Sequence, residues 1–111
     1  MGFFSNLLGG NAISAQEARK RMEQGGKYVL LDVRTPAEYK QVRIKGAKLL
    51  PVDELEKRAS KELPDKTVPI LIYCQSGARA ATAAKILSRL GYTDAVSFGG
   101  IANWPYETAQ G

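Results

Sequence analysis

The chain has 111 residues, 44% of them hydrophobic and 24% charged, which supports one buried core and is too short for two. Its 16 lysines and arginines against 11 aspartates and glutamates give a formal charge of +5. These cations are scattered among acidic residues, so solvated helix faces with a mild attraction for small anions are expected, and a nucleic-acid surface is not.

Residues 1–12, beginning MGFFSNLLGG, are apolar. They lack the basic start, sustained apolar stretch and cleavage site of a secretory signal, and Ser5 falls one place early for the myristoylation pattern. A flexible or capping arm is expected; a weak contact to a partner or a membrane surface through Phe3, Phe4, Leu7 and Leu8 is the less favoured alternative. A single domain over 13–107 follows it.

Ser14 and Glu17 form a capping box for a helix running toward Met22, with Gly25 and Gly26 ending it. Tyr28 to Val33 reads as a buried strand, nearly continuous in hydrophobicity. Thr35, Pro36 and Glu38 make a second capping box with proline at the first helical position, so a short helix starts directly after Arg34. Ala47 to Pro51 is a short strand, and Asp53 to Lys61 a charged helix resting on Leu55 and Ala59. Pro64 and Asp65 mark a turn.

Pro69 to Tyr73 is the most hydrophobic strand and is placed at the centre of the sheet. After Gly77, the residues Ala80, Ala83, Ala84, Leu87 and Leu90 recur at helical spacing up to Gly91. Ala95 to Phe98 is the last strand, followed by Gly99, Gly100 and a short apolar tail holding Trp104. Strands alternating with helices at this spacing imply an α/β fold with a parallel sheet covered by helices. No apolar run approaches the roughly 20 residues of a membrane-spanning helix.

Cys74 is the only cysteine, so no internal disulfide forms, and a reducing cytoplasm suits an exposed thiol. It stands between a buried strand and a helix, where the carboxyl ends of parallel strands build ligand sites. The residues Gln75, Ser76, Gly77, Ala78 and Arg79 can curl so that backbone N–H groups converge on one spot, an anion cradle reinforced by the helix dipole. Gly77 supplies the freedom for that curl. A thiol at its rim has its thiolate favoured, and the thiolate is the nucleophile. Taken alone, Cys74 reads better as a small buried hydrophobe and Arg79 as a surface helix charge; their joint placement at a strand-to-helix turn reverses this in favour of the reactive reading.

Four segments together resemble the rhodanese-like family: LLDVRTPAEY at Leu30 to Tyr39, Gly46-Ala47 before a strand ending in Pro51, YCQSGARA at Tyr73 to Ala80, and FGGIANW at Phe98 to Trp104. The resemblance implies a sheet of about five parallel strands with helices on both faces. It also implies a sulfurtransferase in which Cys74 accepts a sulfane sulfur as a persulfide and passes it to a nucleophile. Carried over, the backbone N–H groups of Gln75, Ser76, Gly77, Ala78, Arg79 and Ala80 bind the transferred sulfur and the anionic leaving group. Ser76 would donate to that sulfur, and Arg79 would hold an oxyanion donor or anchor the loop. The related cell-cycle phosphatases keep one more residue between cysteine and arginine, so this loop is sized for sulfur and phosphatase or arsenate reductase chemistry is disfavoured.

Asp32 and Arg34 are candidates for the pocket edge and, with Glu38, for pairing with Arg79; a structural ion-pair and capping set explains them equally well. The sequence departs from the family in having Val42, Arg43 and Ile44 where many members have Gly-His-Ile, and it contains no histidine, so imidazole takes no part as acid or base. Neutral Gln75 stands where thiosulfate-using members often carry a cation, which disfavours thiosulfate and favours a persulfide donor; Arg43 is a candidate to restore charge at the rim. With no second cysteine, the persulfide needs an external thiol, cyanide or partner-protein acceptor. No metal or cofactor is expected. The alternative of a different class is a binding or sulfur-delivery module whose task is docking a partner protein.

Overall fold

The computed structural model describes residues 12–111, so the apolar arm with Phe3, Phe4, Leu7 and Leu8 lies outside the described residues. Helix α1 (Ala15–Glu23) opens on Ser14, whose hydroxyl accepts the Glu17 N–H at 2.9 Å. The Glu17 carboxylate does not return the box but takes Nε of Arg21 at 3.3 Å, one turn on. Strand β1 (Val29–Asp32) leads to helix α2 (Pro36–Gln41), where both halves of the Thr35/Glu38 capping box form. Short strands β2 (Arg43–Ile44) and β3 (Lys48–Leu49) precede helix α3 (Val52–Glu62), which buries Leu55 and Ala59. Strand β4 (Ile70–Cys74) is buried throughout, helix α4 (Ala78–Arg89) follows, and strand β5 (Ala95–Gly100) runs into a 3-10 turn at Ile101–Asn103.

The main sheet is parallel in the order β3-β1-β4-β5, so β4 has a strand on either side, as its apolar sequence predicts. Among the described residues it holds four strands where about five were expected. Beyond β5 the only pairing among the described residues is an isolated parallel bridge from Ala12 to Ser97, with the Ile13 N–H donating to the Ser97 carbonyl at 2.9 Å. Strand β6 (Thr108–Ala109) pairs antiparallel with β2 in a separate two-stranded sheet, so pairing continues past residue 107. Segments of two residues carry no readable period, and this pair was not foreseen.

Alternation along the strands divides the core into two layers. Leu31, Val33, Ile70, Ile72 and Cys74 face α3 and α4, packing on Leu55, Ala59, Ala80, Ala83, Ala84 and Leu87. Leu30, Leu71, Tyr73, Val96 and Phe98 face the other way, against Ala18 of α1, Ile101 and Trp104. Helices therefore cover both faces, and the alanines of α4 let its backbone lie close to the sheet. No helix among the described residues is long and apolar enough to cross a membrane.

Candidate active site

Cys74 is the last residue of β4 and faces α4. Its thiol is covered, with 1% of the residue exposed, where an exposed thiol was expected. The cause is register: as part of the strand, Cys74 follows the pleat into the layer beneath α4. The sulfur nevertheless has a polar partner, since the Gly77 N–H donates to Sγ at 2.9 Å. Of the proposed cradle groups, Gly77 is the one joined to sulfur directly. Gly77 has φ 120, a backbone that residues with a Cβ rarely adopt, and it is the N-cap of α4, so the curl and the helix start share one glycine. Gln75, Ser76 and Ala78 are exposed, Arg79 half-buried and Ala80 buried.

The floor of the loop comes from β5. The β4–β5 register passes from Ile72 opposite Ser97 to Cys74 opposite Gly100, a bulge that inserts one extra residue in β5 and bends it under the loop. A Cβ on Gly100 would lie 2.1 Å from the Gln75 carbonyl oxygen and 2.7 Å from Cα of Ser76, so only glycine fits there. The Ala102 N–H then donates to the same carbonyl at 3.2 Å. These supports were not named from sequence as site residues; the Gly99-Gly100 pair directly after an apolar strand was their one visible signal.

Arg79 does not stand free. Its guanidinium forms a two-point pair with Glu38 of α2, Nη1 to Oε1 at 2.8 Å and Nη2 to Oε2 at 3.0 Å. Arg79 holds the Glu38 carboxyl down to about 2 against the opposing effect of burial, helped by donation from the Thr35 backbone and hydroxyl. Glu38 in turn raises the Arg79 pKa.

Asp32 and Arg34 are brought together beneath the loop and are buried, at 0% and 1% exposure. Arg34 donates Nε to Asp32 at 2.9 Å and Nη2 at 2.7 Å, and its Nη2 also reaches the Val42 carbonyl at 2.6 Å. Its Nη1 meets Oε1 of Gln75 at 3.4 Å, the one side-chain link from this pair to the loop. The Tyr73 hydroxyl donates to Asp32 at 2.6 Å and accepts the Ile44 N–H at 3.0 Å. Burial first, and then the bond to Asp32, raise the Tyr73 pKa, so it remains a neutral donor. Arg43 stacks over Tyr39, 4.6 Å from the ring centroid, and donates to the Gly111 carbonyl at 2.8 Å, which commits it to the C-terminal tail.

The geometry thus presents one cysteine sulfur, a backbone N–H on it, a helix N-terminus beside it and a cation already paired. Residues 14–106 match the family model described as Rhodanese-like domain. The chain belongs to the rhodanese-like domain family. Among its relatives, it is 37% identical over 71 residues to the thiosulfate sulfurtransferase PspE of Escherichia coli, covering 64% of this chain and 68% of that one. It is 35% identical over 104 residues to the thiosulfate sulfurtransferase GlpE of Pseudomonas fluorescens, covering 89% and 92%. A match of 36% identity to the probable adenylyltransferase/sulfurtransferase MoeZ of Mycobacterium tuberculosis covers 86% of this chain but 24% of the relative, so this rhodanese-like domain spans about a quarter of that longer protein. The crystal structure of the Alr3790 protein from Anabaena superposes with a TM-score of 0.79 at 29% identity, covering 88% of this chain and 91% of the other.

Proposed function

We propose that this rhodanese-like domain is a sulfurtransferase in which Cys74 takes a sulfane sulfur from thiosulfate or another persulfide donor and passes it to a thiol or to cyanide. The observation that carries this reading is the Gly77 N–H on the Cys74 sulfur inside a loop whose arginine arrives at position 79. That N–H, together with the start of α4, favours a negatively charged sulfur carried beyond Cys74. The donor approaches from the loop face, where Gln75, Ser76 and Ala78 are exposed. The names of the relatives support the reaction class.

In the first half-reaction the Cys74 thiolate forms a bond to the sulfane sulfur, the donor's bond to that sulfur breaks, and sulfite or a thiolate leaves with the electron pair. In the second half-reaction an external nucleophile removes the sulfur, because the chain holds one cysteine and no resolving thiol. A ping-pong cycle results. Intact mass after incubation with a donor is expected to rise by one sulfur atom, about 32 Da, on the wild type and not on Cys74→Ser, and cyanide is expected to discharge it. A folded wild type that gains no sulfur from thiosulfate or from an alkyl persulfide would overturn the reading. Loading followed by transfer to one protein only, without turnover on small acceptors, would make the domain a delivery module.

A further inference from the structure

Within the loop from Cys74 to Ala80, Arg79 is the single charged side chain. It is the cation that a doubly charged donor would require, and both its terminal nitrogens are spent on one carboxylate. The other cation near the loop, Arg34, is equally committed, its charge matched by Asp32 and its Nη2 shared with a carbonyl. Arg43 is turned to the tail, and Gln75 contributes a neutral amide. Among the described residues, the two cations joined to this loop, Arg79 and Arg34, are therefore each closed on a carboxylate, leaving the backbone N–H of Gly77 and the helix terminus to meet an anion. Taking a dianion out of water costs far more than taking a monoanion, and without an unpaired side-chain cation these partial charges alone have to offset that cost.

We propose that Glu38 sets the donor class of this site: by holding Arg79 it selects sulfane-sulfur donors with at most one negative charge, such as alkyl persulfides, over dianionic thiosulfate. The inference rests on the sulfur-transfer reading of Cys74 and adds the identity of the residue that chooses among donors. With an alkyl persulfide, RS–SH, the Cys74 thiolate bonds to the terminal sulfur, the RS–S bond breaks, and RS⁻ departs with the electron pair. With thiosulfate the same bond forms, the S–SO₃ bond breaks, and sulfite carries two negative charges out past the Glu38 carboxylate. The second exit is opposed by Glu38 unless Arg79 is released. Glu38 touches no reacting atom and acts through Arg79, as a positioning residue.

Two donors with the same sulfane chemistry and different charge isolate the effect: thiosulfate and methanethiosulfonate, its monoanionic analogue, each with cyanide as acceptor. Glu38→Gln keeps a side chain able to cap α2 and to accept from Arg79 while removing the charge. We expect this variant to raise kcat/KM for thiosulfate about three- to tenfold, chiefly through KM, and to change the monoanion by less than about twofold. A purely structural role would move both donors together. An unchanged ratio between the donors, on a protein that still forms the Cys74 persulfide, overturns the inference and leaves sulfur transfer standing. A folded wild type that loads from no donor overturns both. If Glu38→Gln does not fold, sulfate and methanesulfonate as competitors of the wild type decide: methanesulfonate binding as tightly or more tightly supports the inference, and tighter sulfate overturns it.

Discussion

Asp32 is fully buried, yet its carboxylate collects the Arg34 backbone N–H at 3.0 Å, two guanidinium nitrogens and the Tyr73 hydroxyl, so its charge is met on every side. Removing one partner from such a set costs more than forming it returns, because the remaining groups stay buried. Tyr73→Phe is therefore expected to lose about 1–3 kcal/mol, read by urea denaturation, since it strips a donor from Asp32 and leaves the buried Ile44 N–H without its acceptor. Glu38 gives a pH signature. Its carboxyl is held at about 2 in the folded chain against 4.5 ordinarily, so its contribution is fully present above about pH 4.5 and is lost as pH falls through about 2. Both partners are partly exposed, which limits the contribution to about 1 kcal/mol. The stability gap between wild type and Glu38→Gln, measured by denaturation at stepped pH, is expected to be constant from pH 7 to 5 and to close toward pH 2.

At the scale of elements, the site depends on one bulge and one helix start. The bulge in β5 puts Gly100 against the carbonyl of Gln75, and the positive φ of Gly77 turns the chain from β4 into α4 within three residues of Cys74. Gly100→Ala places a methyl group 2.1 Å from a backbone oxygen, a clash with no flexible side chain to yield. Loop or strand must shift, at about 2 kcal/mol or more. Sulfur loading of Cys74 in this variant is expected to slow at least about tenfold, as a displaced loop loses the alignment of the Gly77 N–H with the sulfur. Loading at the wild-type rate would show that the floor under Gln75 does not set the loop.

At the scale of the molecule, the sheet separates two apolar layers, and the catalytic candidate belongs to only one of them. Cys74 shares its layer with Ala80, Ala83, Ala84 and Leu87 of α4. Leu87→Ala, at a residue with no exposed surface, is expected to cost about 2–5 kcal/mol by chemical denaturation. Because Leu87 lies on the last turns of α4 and the loop on its first, sulfur loading under native conditions is expected to stay within about threefold of wild type.

The sequence by itself determined the helices and strands that carry strong periodicity or a capping box, and it pointed to Cys74 and its loop, because strand apolarity, Gly77 and the cysteine-to-arginine spacing are local features. It also left Asp32, Arg34 and Glu38 open between catalytic and structural roles. Only the tertiary structure divided them, burying Asp32 with Arg34 beneath the loop and setting Glu38 on Arg79, 41 residues away in the chain. The same holds for the fit of Gly100 under Gln75, for the pairing of β2 with β6 and, among the described residues, for a sheet of four strands with one bridging residue beyond. Each of these is a contact between segments distant in sequence, decided by how strands align and which side chains the pleat turns inward, and no local pattern encodes that alignment.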